Sequence, residues 1–183
     1  QHVHIPVIGE HNVLNALASL AVGDHLGQTL SASAEALRYY TPPKMRQRII
    51  NRGGICIIDD SYNASPDSMQ AAINVLMSRN SSGKKFAVLA GMRELGSFSL
   101  EGHVSTGHYA KAQGVDILIA VGELGRDIAT GYGQDALTVH DNAAATELLL
   151  NLLSPGDSVL IKGSRGMKTE EIVEGLIGAL KEE

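Results

Sequence analysis

Asp59-Asp60-Ser61-Tyr62-Asn63-Ala64-Ser65-Pro66 follows the apolar run Ile55-Cys56-Ile57-Ile58 and precedes Met69, Ile73 and Leu76 at helical spacing. The apolar run predicts a buried strand. Ser65 followed by Pro66 predicts a helix start, because serine caps free amides and proline suits the first helical position. The octet is then a strand-to-helix loop carrying two carboxylates at the strand's carboxyl end. In open α/β sheets, ligands meet exposed backbone amides at that end.

Working outward, residues 47–51 and 55–60 flank Arg52-Gly53-Gly54. The two glycines permit the positive φ of a tight turn, so one antiparallel hairpin is expected. Downstream, apolar segments at residues 86–90, 117–121, 137–139 and 159–161 each lead through a loop into a helical stretch. That alternation predicts an α/β fold with a Rossmann-like, mostly parallel sheet flanked by helices. Asp141 and Thr169 stand where further N-caps belong. Upstream, Leu14, Leu17, Leu20 and Ala21 mark one side of a helix, and a second helix is expected from about Ser31 to Tyr40. Thr41-Pro42-Pro43 interrupts helix, since proline lacks the amide hydrogen and disfavours helix in the residue before it. The expected division is 1–42 and 43–183.

The 183 residues can bury one good core. Fifteen Lys and Arg against twenty Asp and Glu give a net charge of −5, with no basic stripe of the kind a nucleic-acid backbone requires. Cys56, the single cysteine, reads as a small buried hydrophobe and fits a reducing cytoplasm. No apolar run approaches the roughly eighteen residues of a membrane span, and no leader pattern precedes the first helix. The opening on Gln1 instead of Met, running directly into His2-Val3-His4-Ile5-Pro6-Val7, reads as a piece of a longer protein.

Three constellations have functional chemistry. Asn12 and Asn15, after His11, share one helix face, where two amides can read a flat base edge or simply cap and face solvent. Asp60 projects beyond a strand, where its carboxylate can accept two ribose hydroxyl hydrogens or close an acidic turn. Arg46 offers a fork for phosphate or carboxylate, with Arg48 its rival by position. Lys162-Gly163-Ser164-Arg165-Gly166 joins two cations, a hydroxyl and glycines between a strand and a helix, which suits an anion or an ordinary basic turn. The phosphate-loop spacing of glycines with Lys-Ser/Thr is absent, both here and at Gly83-Lys84-Lys85. Seven scattered histidines supply no metal-ligand spacing, so no metal residue is assigned. No Gly-x-Ser-x-Gly elbow supports a hydrolase.

His11-Asn12-x-x-Asn15, Arg46, Asp60-Ser61-Tyr62-Asn63-Ala64-Ser65-Pro66, Glu94-Leu95-Gly96 with His103, and Lys162-Gly163-Ser164-Arg165 together resemble the Mur ligases. The likeness is strongest to the members that add D-alanyl-D-alanine. The resemblance implies a helical remnant of a central ATPase domain at 1–42 and the family's carboxyl-terminal domain at 43–183. It implies an enzyme using ATP and Mg2+ to join D-alanyl-D-alanine to UDP-N-acetylmuramoyl-tripeptide through an acyl phosphate, in cytoplasmic peptidoglycan precursor synthesis. By the same resemblance, His11, Asn12, Asn15, Arg46 and Asp60 belong to the nucleotide, with the asparagines near adenine and Asp60 near ribose. Tyr62, Asn63, Lys162, Ser164 and Arg165 would face the substrate cleft, the cations suiting the dipeptide carboxylate. Glu94 and His103 are expected to order a loop. Gly91 stands where the family usually shows Asp. The remaining domains of the same protein are the expected partners, and this chain alone is expected neither to hold a cofactor tightly nor to turn over. Two other readings stay open: a Rossmann-like anion-binding module without catalysis, and another amide ligase of the superfamily, such as a folate-polyglutamylating enzyme.

Overall fold

The computed structural model describes residues 2–182. The chain divides into two compact units, the first ending at Pro43 and the second beginning at Lys44.

The first unit holds helices α1 (Glu10–His25) and α2 (Leu30–Arg38). Thr29 caps α2, its hydroxyl accepting from the Ala32 amide at 3.2 Å. The side of α1 marked by Leu14 and Leu17 lies in solvent, while Ala16 is the buried residue of that helix. Ala16 and Ala34 are the buried apolar residues of this unit, so two helices alone bury the small side chains and leave the large ones out.

The second unit is a six-stranded sheet of β1 (Arg48–Arg52), β2 (Ile55–Asp60), β3 (Lys85–Ala90), β4 (Ile117–Val121), β5 (Leu137–Val139) and β6 (Ser158–Lys162). Its helices are α3 (Pro66–Ser78), α4 (Ser99–Ala112), α5 (Gly122–Tyr132), α6 (Asn142–Leu152) and α7 (Glu170–Ala179). The strand order is β1-β2-β6-β3-β4-β5, with β1 antiparallel to β2 and every other pair parallel. The last strand thus inserts between β2 and β3 and brings their carboxyl ends to one edge.

Alternation along the strands sends Ile57, Val88, Ile119 and Ile161 to one face, under Leu149 of α6 and Ile172 and Leu176 of α7. Ile58, Leu89, Leu118 and Leu160 are buried on the other, where α3 packs on β3 and β6 and α5 packs on β3 and β4. Burial on both faces explains why these strands read as continuous apolar runs. Asp141 caps α6 as expected, accepting from the Ala144 amide at 2.8 Å. Two expectations are corrected. Thr169 occupies the N-cap position of α7, yet its hydroxyl forms no cap bond and is buried without a partner. Cys56 is only half-buried, because it stands near the start of β2 on the face opposite Ile55 and Ile57, which enter the core.

Candidate functional site

In the register of the sheet, Asp60 of β2 lies directly beside Lys162 of β6. The lysine Nζ donates to Asp60 Oδ2 at 2.6 Å and to the Asn63 carbonyl at 2.8 Å. Lys162 is 2% exposed and Asp60 9%. The other oxygen, Asp60 Oδ1, accepts from the Gln47 amide at 3.2 Å. Burial, the largest influence, raises the Asp60 carboxyl above the ordinary carboxylate value, against the lowering pull of Lys162 and of the Gln47 amide. This pair fastens three segments: the end of β6, the loop after β2, and the chain at Gln47.

That last segment carries Arg46. Met45 and Gln47 on either side of it take positive φ, 67° and 50°, a conformation unusual for residues with side chains. The Tyr62 amide donates to the Met45 carbonyl at 3.0 Å, and the Arg46 guanidinium lies 4.3 Å from the centre of the Tyr62 ring. Such stacking holds the cation while leaving its fork for an anion. Arg46 is exposed and Tyr62 half-exposed, whereas Arg48 opens β1. The Asp59 carboxylate turns back to its own loop, accepting from the Ser61 hydroxyl at 2.5 Å. Asn63 Oδ1 accepts from the Ala64 amide at 2.9 Å, closing the same loop.

The loop after β6 is clasped to the loop after β3. The Ser164 amide donates to the Gly91 carbonyl at 3.1 Å, and Ser164 Oγ accepts from the Arg93 amide at 2.8 Å. His103, fully buried in α4, accepts from the Met92 amide through Nε2 at 2.8 Å. Its Nδ1 lies 2.6 Å from the Ser99 carbonyl, so the ring is neutral with its proton on Nδ1. His103 therefore orders this loop. Gly91 has a local cause as well, since a Cβ there would lie 2.5 Å from the Leu124 Cβ. Arg165 donates to Glu170 at 2.8 Å and reaches Met45 Sδ at 3.6 Å.

In the first unit, Asn12 Nδ2 donates to the Ile8 carbonyl at 2.7 Å, and Asn15 Nδ2 donates to Asn12 Oδ1 at 3.2 Å. His11 precedes them in the first turn of α1. Asn12 and Asn15 thus form one amide pair on a helix face. Among the described residues, no three His, Cys, Asp or Glu converge on a point that could hold a metal ion.

The profile described as "Mur ligase, glutamate ligase domain" matches residues 45–165. The chain belongs to the Mur ligase family. It is 37% identical over 179 residues to the UDP-N-acetylmuramoyl-tripeptide--D-alanyl-D-alanine ligase of Bacillus subtilis, covering 94% of this chain and 39% of that protein. The ligase of the same name from Escherichia coli is 35% identical over 176 residues, 95% of this chain and 38% of its own length. Among solved structures, MurF from Acinetobacter baumannii superposes with a TM-score of 0.88 at 32% identity, over 96% of this chain and 39% of that one. MurF from Thermotoga maritima, in complex with ADP, gives 0.80 at 30% identity over 92% of this chain and 38% of that one. The chain therefore spans about two-fifths of the length of these Mur ligases.

Sequence reading located the strand-end loops but not their latches. The Gln47 and Met45 backbone contacts carry no side-chain signature. Arg93 escaped attention because nothing local in Gly91-Met92-Arg93 distinguishes it from a solvated turn.

Proposed function

We propose that this chain is the closing part of an ATP-dependent amide ligase that joins D-alanyl-D-alanine to UDP-N-acetylmuramoyl-tripeptide in the cytoplasm. The observation that carries the reading is the Asp60–Lys162 pair, which binds the loops after β2 and β6 to the Arg46 segment at one edge of the sheet. The names of the relatives and the ADP of the Thermotoga maritima complex support the substrates. In this reading ATP phosphorylates the terminal carboxylate of the tripeptide. The dipeptide amine then attacks the acyl carbon, forming the amide bond and releasing phosphate and a proton.

The residues divide accordingly. Asn12 and Asn15, entered through His11, present the amide pair proposed for adenine. Arg46, backed by the Tyr62 ring, has a free fork for ribose or phosphate oxygens. Asp60 offers the ribose only the lone pairs that Lys162 and Gln47 leave open. On the substrate side, Tyr62, Asn63, Ser164 and Arg165 border the cleft, and Lys162 supplies its charge from beneath. Magnesium would neutralise phosphate charge, with its protein ligands in the remaining domains. Those domains would also cover the exposed apolar face of α1, which includes Leu14 and Leu17.

The test uses the full-length protein with ATP, magnesium, the tripeptide nucleotide and D-alanyl-D-alanine. Dipeptide-dependent phosphate release together with a pentapeptide product is the expected result, and phosphate release that ignores the dipeptide overturns the reading. The present chain alone is expected to release no phosphate above a protein-free blank, because the phosphate-binding loop is not in it. In the full-length enzyme, Asp60→Ala is expected to raise the KM for ATP strongly; unchanged kinetics would remove Asp60 from the nucleotide side.

A further inference from the structure

At the carboxyl edge of the sheet two cations are paired with carboxylates and a third is stacked on a ring. Lys162 is buried against Asp60, Arg165 is paired with Glu170, and Arg46 lies on Tyr62. Another cation of this edge is Arg93, in the loop after β3, for which the family likeness assigns no role. Its backbone is fixed on two sides, by Ser164 Oγ at its own amide and by His103 at the preceding one. Its guanidinium lies across Gly166: a Cβ there would be 2.6 Å from Nη1 and 3.0 Å from Cζ. The fork thus lies against the loop after β6, over a residue without a side chain. Arg93 is exposed, and among the described residues it forms no ion pair, its neighbour Glu94 included.

We propose that Arg93 binds a substrate oxyanion beside Arg165 at the rim of the loop after β6. This inference rests on the ligase reading above. A guanidinium carried on an anchored backbone, with its charge uncompensated, suits a planar two-oxygen acceptor. Two sources present that chemistry, the terminal carboxylate of the dipeptide and the phosphoryl oxygens of the other substrates. Arg165, already neutralised by Glu170, orients the group, while Arg93 contributes the net positive charge.

The experiment compares full-length wild type with Arg93→Ala, Arg93→Lys and the control Lys84→Ala, an exposed cation at the opposite end of β3. If the carboxylate is the ligand, Arg93→Ala raises the KM for D-alanyl-D-alanine about tenfold, the loss of one charge-assisted hydrogen bond, with little change in kcat. The neutral analogue D-alanyl-D-alaninamide, a poorer substrate for wild type, is then used equally well by wild type and variant, and Arg93→Lys recovers part of the loss. A rise confined to the KM for ATP or the tripeptide nucleotide assigns the phosphoryl oxygens instead. Unchanged KM values for all three substrates overturn the proposal, as does an equal rise in Lys84→Ala. A wild type that ligates while Arg93→Ala is silent defeats only the role of Arg93; a wild type that does not ligate defeats the ligase reading and this proposal with it.

Discussion

Lys162 joins chemistry to folding at the scale of one residue. Burying an ammonium is costly unless a carboxylate and further acceptors receive it, and Asp60 with the Asn63 carbonyl does both. Lys162→Met leaves the Asp60 carboxylate buried without its cation, so a loss of about 3–5 kcal/mol in urea denaturation is expected. The pH dependence follows from the raised carboxyl of Asp60. The native state keeps a proton there that the unfolded chain has already released. Its contribution is thus full below the ordinary aspartate range and is lost as pH rises through the raised value. Relative to a double variant Asp60→Asn/Lys162→Met, which cannot titrate there, wild type is expected to lose stability across that window and then level off. A stability difference that stays flat with pH would contradict the assignment. The sequence shows an acid and a lysine at two strand ends; their adjacency depends on β6 entering beside β2, about a hundred residues away, and no local pattern encodes it.

Between elements, α4 and α5 meet through glycine instead of through interlocking large side chains. A Cβ on Gly107 would overlap the Ile128 carbonyl oxygen, and one on Gly131 the Val104 carbonyl oxygen. Backbone lies on both sides of each contact, so neither helix can yield by turning a rotamer. Gly107→Ala is expected to force the helices apart at a cost of about 2 kcal/mol or more, although alanine is the better helix former. Thermal unfolding checks it: a raised Tm would show that the helix preference outweighs the overlap. The strands of this unit were legible because burial on both faces produces uninterrupted apolar runs such as Phe86–Ala90 and Ile117–Val121. The hairpin was legible from Gly53 and Gly54. The place of β6 in the order was not, since strand order is set by crossovers. The helix α1 was legible from the spacing of Leu14 and Leu17, but what covers that side was not. An amphipathic pattern says that a face is to be covered, not by which part of the protein.

At the scale of the whole chain, the two units have unequal means of folding. The second contains the cluster of Ile57, Phe86, Val88, Ile119, Ile161 and Leu176, drawn from strands and helices on one side of the sheet, and a second apolar layer beneath α3. The first has Ala16 and Ala34 as its buried apolar residues and leaves Leu14, Leu17, Val22, Leu26 and Tyr39 more than half exposed. A segment of about forty residues without a disulfide or metal rarely buries enough surface to offset its lost conformational entropy. Residues 44–183 alone are therefore expected to unfold cooperatively at nearly the Tm of the whole chain. A peptide of residues 1–43 is expected to show weak helical circular dichroism that fades gradually on heating. Its helicity is expected to rise when a partner domain covers the apolar face of α1. A sharp transition in the isolated peptide would mean that its two helices stabilise each other without the rest of the enzyme, and the apolar face of α1 would then need no cover from the remaining domains.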